Sequence, residues 1–186
     1  FTSVQLIRQD AVKQGGHGDP AKTYFTPGTH SFSFGARAGW KNKQWETSLN
    51  FNRITAAGRY LMPREWGRDP FFTFMPRERN EGYGDLTAFN GKLNYKIPKA
   101  GFSASAAFGV YRLPDVTNYR LNKYGMPSYN QLNLDARYQF RGLLKGLETQ
   151  LLFVYKKGTG PTSGNDRYVN NKTDLGLRNL LFNYQF

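Results

Sequence analysis

The chain has 186 residues and a formal net charge of +13, since 26 lysines and arginines outnumber 13 acidic residues. Its aromatic content of 16% excludes a disordered chain, and the lack of an apolar run of about 20 residues excludes a helix that crosses a membrane. Without cysteine the chain has no disulfide framework, thiol nucleophile or thiolate metal site, and the excess of positive charge indicates anionic partners.

Alternation of apolar and polar residues with a period of two begins near the start of the chain and predicts β-strands. Residues 1–9 alternate poorly but are long enough for one strand. From 30 to 40 and from 45 to 52 one face is apolar and the other hydrophilic, and a short turn at 41–44 joins the two segments. They are therefore predicted to form an antiparallel hairpin.

The same alternation returns along the rest of the chain, in residues 86–97, 102–111, 130–140, 147–156 and 180–186. In each segment the apolar face carries large side chains, and the opposite face is expected to be uniformly hydrophilic. The pattern predicts about eight strands in all.

The connections between these strands alternate in length. Short turns fall at 41–44, 98–101 and 141–146. Long polar connections fall at 10–29, 55–83, 113–128 and 158–173. Tight turns on one side and long loops on the other are typical of outer-membrane barrels, whose short turns face the periplasm.

A soluble β-sandwich also has one hydrophobic face per strand, but three features favour the membrane. The strands have about 9–11 residues, as a tilted membrane crossing requires. Aromatic residues such as Trp40, Trp45, Phe140 and Tyr184 lie at strand ends, where an interfacial girdle is expected. The hydrophilic faces suit a wet interior. The sequence therefore predicts an all-β fold, an antiparallel transmembrane β-barrel in a bacterial outer membrane.

Three stretches carry a resemblance to known outer-membrane proteins. The last residues, LLFNYQF, resemble the terminal strand signal of that class, which binds the barrel assembly machinery. The stretch from PREWGRDP to RERNEG, within residues 63–82, and the segment GLLKGLE at 142–148 resemble the OprD-type substrate-specific porins.

The resemblance implies a monomeric barrel of about eighteen strands that conducts small carboxylates and basic amino acids past a ladder of basic side chains. Because this chain supplies fewer than half of those strands, we expect residues 1–186 to be a single domain, the C-terminal part of a larger barrel. A complete eight-stranded barrel, with an interior just filled by side chains, is the alternative.

The long connection 55–83 repeats the tetrapeptide MPRE at 62–65 and 75–78 and is rich in aromatic residues. A loop folded inward against the barrel wall would bury these aromatics and direct arginines at a pore constriction, where guanidinium groups bind carboxylates in bidentate fashion. The predicted constriction residues are Arg64, Arg68, Arg77 and Arg79. In the alternative, an outer loop places these arginines against lipopolysaccharide phosphates.

Basic residues also project from the polar faces of the strands. The predicted lumen-wall cations are Arg37, Lys92, Lys96, Arg137 and Lys156. An excess of wall cations raises the local concentration of anionic solutes. Alternatively, half of these cations pair across strands with carboxylates such as Glu46, Asp135 and Glu148.

Other function classes have little support in the sequence. His17 and His30 are the only histidines, no metal-ligand cluster is visible, and the basic residues do not form the single stripe typical of nucleic-acid binding. The sequence thus predicts a porin, without enzymatic activity, cofactor, metal or nucleic-acid partner, for small anionic or zwitterionic solutes. Its other partners are outer-membrane lipid, lipopolysaccharide and envelope proteins. The alternatives are a barrel subunit that scaffolds an envelope complex, and a small closed-barrel enzyme.

Overall fold

The computed structural model describes residues 1–11, 15–16, 23–25, 27–62, 70–78, 80–162 and 173–185. Over these residues the chain is all-β, with one antiparallel sheet of eight strands. In their order across the sheet, the strands are β1 (Thr2–Asp10), β4 (His30–Lys41), β5 (Trp45–Ile54), β6 (Leu86–Ile97), β7 (Phe102–Arg112), β8 (Tyr129–Gln139), β9 (Leu147–Gly158) and β10 (Leu175–Tyr184). All eight predicted strands are confirmed, including the poorly alternating first one.

The remaining elements are small. A separate two-stranded hairpin pairs β2 (Gly15–Gly16) with β3 (Thr23–Phe25). Single 3₁₀ turns at Pro98–Ala100 and Gly142–Leu144 lie within the predicted short connections. In the described part of the chain, no helix has the length and apolar character needed to cross a membrane.

One face of the sheet, here the apolar face, is covered by large exposed hydrophobic side chains. Leu6 is 81% exposed, Leu49 74% and Phe182 65%. Further members of this face are Val4, Phe32, Phe34, Trp40, Trp45, Phe89, Leu93, Phe108, Leu134, Tyr138, Leu151, Tyr155, Leu180 and Tyr184. Along β4 the apolar positions extend from Phe32 to Trp40, roughly 27 Å at about 3.4 Å per residue.

The opposite face, here the polar face, differs from the prediction. Near the short turns it is mostly hydrophilic, although β10 places Leu181 on it, opposite Gln150. Toward the long connections it carries Ile54, Leu86, Tyr111 and Tyr129, each fully buried. The expectation of a uniformly hydrophilic face was therefore wrong, because residues of the long connections pack on this end and give the face a hydrophobic core. The cluster is Ile54, Tyr60, Phe71, Met75, Tyr83, Leu86, Ala88, Tyr111 and Tyr129.

The sheet is open among the described residues, with β1 and β10 as its two edges. β1 pairs only with β4, from Thr2 opposite Ala38 to Asp10 opposite His30. β10 pairs only with β9, from Leu175 opposite Lys156 to Tyr184 opposite Leu147. Both edges therefore present backbone groups that the sheet leaves unpaired.

Candidate functional site

Residues 70–78, here the crossing segment, lie across the polar face and are held there through their carbonyl oxygens. The donors are side chains of five different strands. At the start of the segment, Gln5 donates a hydrogen bond to Pro70 O (3.2 Å). In the middle, Lys92 donates to Phe72 O (2.7 Å) and Phe74 O (2.8 Å), and both Asn90 (2.6 Å) and Tyr111 (2.9 Å) donate to Thr73 O. At the end, Gln131 (2.8 Å) and Asn133 (2.9 Å) donate to Pro76 O, and Lys156 donates to Arg77 O (2.9 Å).

This arrangement follows from the requirement that buried backbone carbonyls find hydrogen-bond donors. The crossing segment pairs with no strand of the described sheet. Two backbone hydrogen bonds form within it, each closing a short turn: Phe74 N donates to Phe71 O and Glu78 N donates to Met75 O, both at 3.0 Å. The amide, ammonium and phenol donors of the polar face supply the missing partners. The sheet thus fixes the path of a segment that has no regular structure.

The second turn places an arginine in an unfavourable backbone conformation. Pro76 occupies the second turn position and Arg77 the third, with φ at 68°. A type II turn requires positive φ at this position and normally has Gly or Asn there, since an L-residue in the left-handed region costs about 1–2 kcal/mol. The hydrogen bond from Lys156 to Arg77 O stabilises this turn.

The contacts of the crossing segment extend over most of the sheet. Six inter-strand spacings of about 4.8 Å, about 29 Å in a flat sheet, separate β1 from β9. The side chains of Gln5 on β1 and Lys156 on β9 reach the two ends of the segment. The segment therefore crosses the polar face from an edge strand to the strand next to the other edge.

Three of the predicted wall cations surround the crossing segment. Arg37 donates to Ser3 Oγ (3.1 Å), and its guanidinium lies over the rings of Phe1 (5.4 Å) and Phe72 (4.7 Å). Lys92 binds two carbonyls of the segment, as described above. The ammonium of Lys156 is buried and lies 4.3 Å from the ring centre of Tyr129. Two of these cations therefore anchor the segment itself.

The other two wall cations lie nearer the short turns and make no contact with the crossing segment in the described residues. Arg137 pairs with Asp135 of its own strand at 2.9 Å. Lys96 is exposed, and its ammonium has no ion-pair partner among the residues that the structure describes.

The cations of the polar face outnumber its acidic residues. Glu46 pairs with Lys41 (3.1 Å), Asp135 accepts from Gln150 as well as Arg137, and Glu148 accepts from the neutral amide of Gln139 (3.1 Å). Glu78 of the crossing segment is a fourth acid and is buried. The five predicted wall cations, together with Lys41 and Arg77, exceed these four acids, so the net potential of this face is positive.

Of the four predicted constriction arginines, only Arg77 lies within the described residues; Arg64, Arg68 and Arg79 lie outside them. The Arg77 side chain is exposed beside the crossing segment. The structure therefore places Arg37, Lys92 and Lys156 beside the crossing segment, which itself contains Arg77.

Sequence reasoning missed the neutral residues that hold the segment. They are Gln5, Asn90, Tyr111, Gln131 and Asn133. A signal was present, because amide side chains recur at alternate positions on the polar faces of β6 and β8. Such a row of amides offers donors to a backbone that lies across the strands.

A second feature is a cavity of about 200 Å³ at the long-connection end, near β1 and β4. Arg59 and Arg120 line it, and no acidic residue of the described part of the chain does. Ser31, only 2% exposed, also lines it, and the Ser31 hydroxyl has no hydrogen-bond partner among the residues that the structure describes. A cavity with two arginines and an unsatisfied hydroxyl is suited to a small anion.

The remaining chemistry-bearing residues form no recognisable catalytic group in the described part of the chain. His30 stacks edge-on against Phe32 at 5.3 Å, and the described residues contain no cluster of potential metal ligands. His17 lies outside the described residues. Comparison of the chain with protein-family models and with curated proteins finds no match.

Proposed function

We propose that this chain is part of a transmembrane β-barrel of the bacterial outer membrane, and that the barrel is a passive diffusion channel for small solutes bearing carboxylates, including amino-acid-like solutes. The observation that carries the proposal is the crossing segment on the polar face, opposite a face of exposed apolar side chains. A segment fixed across the concave side of a barrel wall narrows the passage that the wall encloses.

The apolar face supports the membrane part of the proposal. Monomeric soluble proteins rarely expose contiguous apolar patches of more than a few hundred Å², whereas here large hydrophobic side chains face outward on every strand of the sheet from β1 to β10. Lipid is the environment in which such a face is stable.

The charge distribution supports anionic solutes. Arg37, Lys96 and Arg77 are exposed cations on or beside the polar face, and the cations of that face outnumber its acids. The cavity lined by Arg59 and Arg120 adds a positive site at the long-connection end. Solutes with carboxylates would meet cations along this path, which lowers the barrier to entry.

The open edges support the larger barrel implied by the resemblance to OprD-type porins. In lipid every backbone group must be paired, so β1 and β10 require further strands or each other. On this proposal upstream strands complete a barrel of about eighteen, and the assembly machinery recognises the C-terminal strand.

The test is single-channel conductance of the intact parent protein in a planar bilayer, with the reversal potential in a salt gradient. We expect steady conductance with anion preference. Arg77→Gln and Arg37→Gln should each reduce this preference, while Arg112→Gln, on the apolar face, should leave it unchanged. A barrel that inserts but does not conduct would refute the channel.

A scaffold that conducts little is the second candidate, and the hydrophobic core on the polar face favours it. Tyr60, Phe71, Met75 and Tyr83 pack on the polar face near the long connections. A barrel that inserts into the bilayer but does not conduct would support the scaffold.

A further inference from the structure

The three short turns carry a charge pattern of their own. The basic residues of segments 41–44, 98–101 and 141–146 are Lys41, Lys43, Lys99, Arg141 and Lys145, and none of these segments contains an Asp or Glu. Lys41 pairs with Glu46 of the following strand. The other four have no ion-pair partner among the residues that the structure describes, whereas Arg8, Arg53 and Lys157 at the opposite end of the sheet each pair with an aspartate. The short turns therefore carry four cations whose charge no acidic side chain of the described residues compensates.

Three of these cations converge around Pro98. Arg141 reaches from its own turn to donate to Pro98 O at 2.7 Å. Lys43 and Lys99 line, together with Pro98, a cavity of about 540 Å³ between the first two turns. Arg141 is exposed, and so are the two lysines. The fold therefore brings cations from three separate turns to one place.

A second depression lies beside this cavity on the apolar face. Its volume is about 490 Å³, and Ala104, Ala106 and Ala136 are among its lining residues. Its walls are Leu93, Tyr95, Leu151 and Phe153, with Trp45 at one end. The alanines lie on the adjacent strands β7 and β8, and the larger side chains lie on the flanking strands β6 and β9. Together they form a groove that suits an apolar molecule.

The two depressions are neighbours along the strands. The rings of Trp45 and Tyr95 lie 4.3 Å apart and line the groove, while Gln44 and Ile97 line the charged cavity. A molecule with an anionic head and an apolar tail would place the head beside the turns and the tail over the alanines. Trp45 and Tyr95 would then lie between the head and the tail, at the level of the membrane–water interface, where Trp and Tyr are enriched in membrane proteins.

We propose that this end of the sheet binds an anionic glycerophospholipid, with its phosphate-bearing headgroup at Lys43, Lys99 and Arg141 and one acyl chain in the groove over Ala104, Ala106 and Ala136. The inference rests on the proposed function, because it requires the membrane location. It adds an anionic lipid as the partner of the short-turn end of the sheet. Charge complementarity selects an anionic lipid over a zwitterionic one. Leu143 and Leu144, which are 105% and 51% exposed in the last turn, provide a further apolar contact with the same leaflet.

The expected preference is substantial, since each lysine or arginine near an anionic membrane surface contributes about a fivefold gain in binding. We would purify the intact parent protein in detergent, add equimolar phosphatidylglycerol, phosphatidylethanolamine and lipid A, and count retained lipids by native mass spectrometry. Wild type should retain phosphatidylglycerol at least fivefold over phosphatidylethanolamine.

Two variants test the two parts of the site. Replacing Lys43, Lys99 and Arg141 together with Gln should abolish the preference, and Arg112→Gln at the other end should keep it. Ala106→Leu fills the groove and should reduce the number of retained lipids. Gly176→Leu, which adds the same side chain elsewhere on the apolar face where nothing lies within 4 Å, should not.

Several outcomes would overturn the proposal. They are equal retention of both phospholipids by wild type, unchanged preference in the triple variant, and retention of lipid A in place of phosphatidylglycerol. Conductance separates this failure from that of the proposed function. A protein that inserts and conducts but shows no lipid preference refutes only the lipid site, whereas one that does not enter bilayers refutes both.

Discussion

Lys92→Met is expected to release the crossing segment from the sheet. Lys92 donates two charge-assisted hydrogen bonds, to Phe72 O at 2.7 Å and to Phe74 O at 2.8 Å. A hydrogen bond to a charged group contributes about 1.5–3 kcal/mol, and we take about 2 kcal/mol for the pair because Lys92 is only half-buried and such terms are not additive. Methionine keeps the length of the side chain but donates nothing to either carbonyl.

The assay is hydrogen exchange of the intact protein, measured by mass spectrometry on a peptide that covers residues 70–78. The amides of Phe74 and Glu78 close the two turns of the segment and report its opening. A loss of about 2 kcal/mol corresponds to roughly 30-fold faster exchange. The matched control is Lys96→Met, which removes the same charge from the same strand and face, four residues nearer the short turn, and should leave exchange unchanged. Equal exchange in the two variants would refute the anchoring role of Lys92.

Three further predictions follow from other parts of the sheet. Leu49→Arg, at an apolar-face position that is 74% exposed, should lower the free energy of unfolding in bilayers by about 2–4 kcal/mol, whereas Ser48→Arg on the polar face should cost much less; equal small effects would argue against a lipid-facing surface. Gly58→Ala would place a methyl group 2.2 Å from His30 O, so we expect a lower midpoint of urea unfolding, with Gly176→Ala as the neutral control. The hydrogen bond from Lys157 holds the pKa of the Asp174 carboxyl below its usual value; its contribution to stability is therefore present at neutral pH and is lost as the pH falls below about 4 through the folded-state pKa. The protection factor of the Gly158 amide, which donates to Asp174 Oδ1 at 3.3 Å, is the intrinsic exchange rate divided by the measured rate at the same pH. It should fall in that range in wild type and stay constant in Asp174→Asn.

The strands were predictable because alternation is a local property. Each residue in a strand faces the side opposite to its neighbours, so Phe32, Phe34 and Trp40 reveal their common face without knowledge of the partner strand. The short turns were equally readable, since a break in alternation with Gly, Pro or Lys marks them. Even β1 formed over the weakest pattern, because β4 supplies a full ladder of partners along it.

The candidate site was predictable only in part. The mixture of aromatics and arginines in residues 55–83 left two alternatives, a connection that packs on the strands and an outer loop. Phe71 and Met75 of this connection are buried on the polar face of the sheet. The path of this connection across the sheet could not be predicted from the sequence, because the hydrogen-bond donors that hold it belong to residues far away along the chain. Arg77 O, for example, accepts from Lys156, 79 residues later.

What the sequence determines by itself is thus the set of strands, their two faces and the positive charge. These are consequences of composition and of a period of two, and both act between neighbours along the chain. The tertiary structure decides where the crossing segment lies, which wall cations anchor it and which stay exposed, and where cations of separate turns meet. Those outcomes depend on the order and the registers of several strand pairs, which no local pattern records.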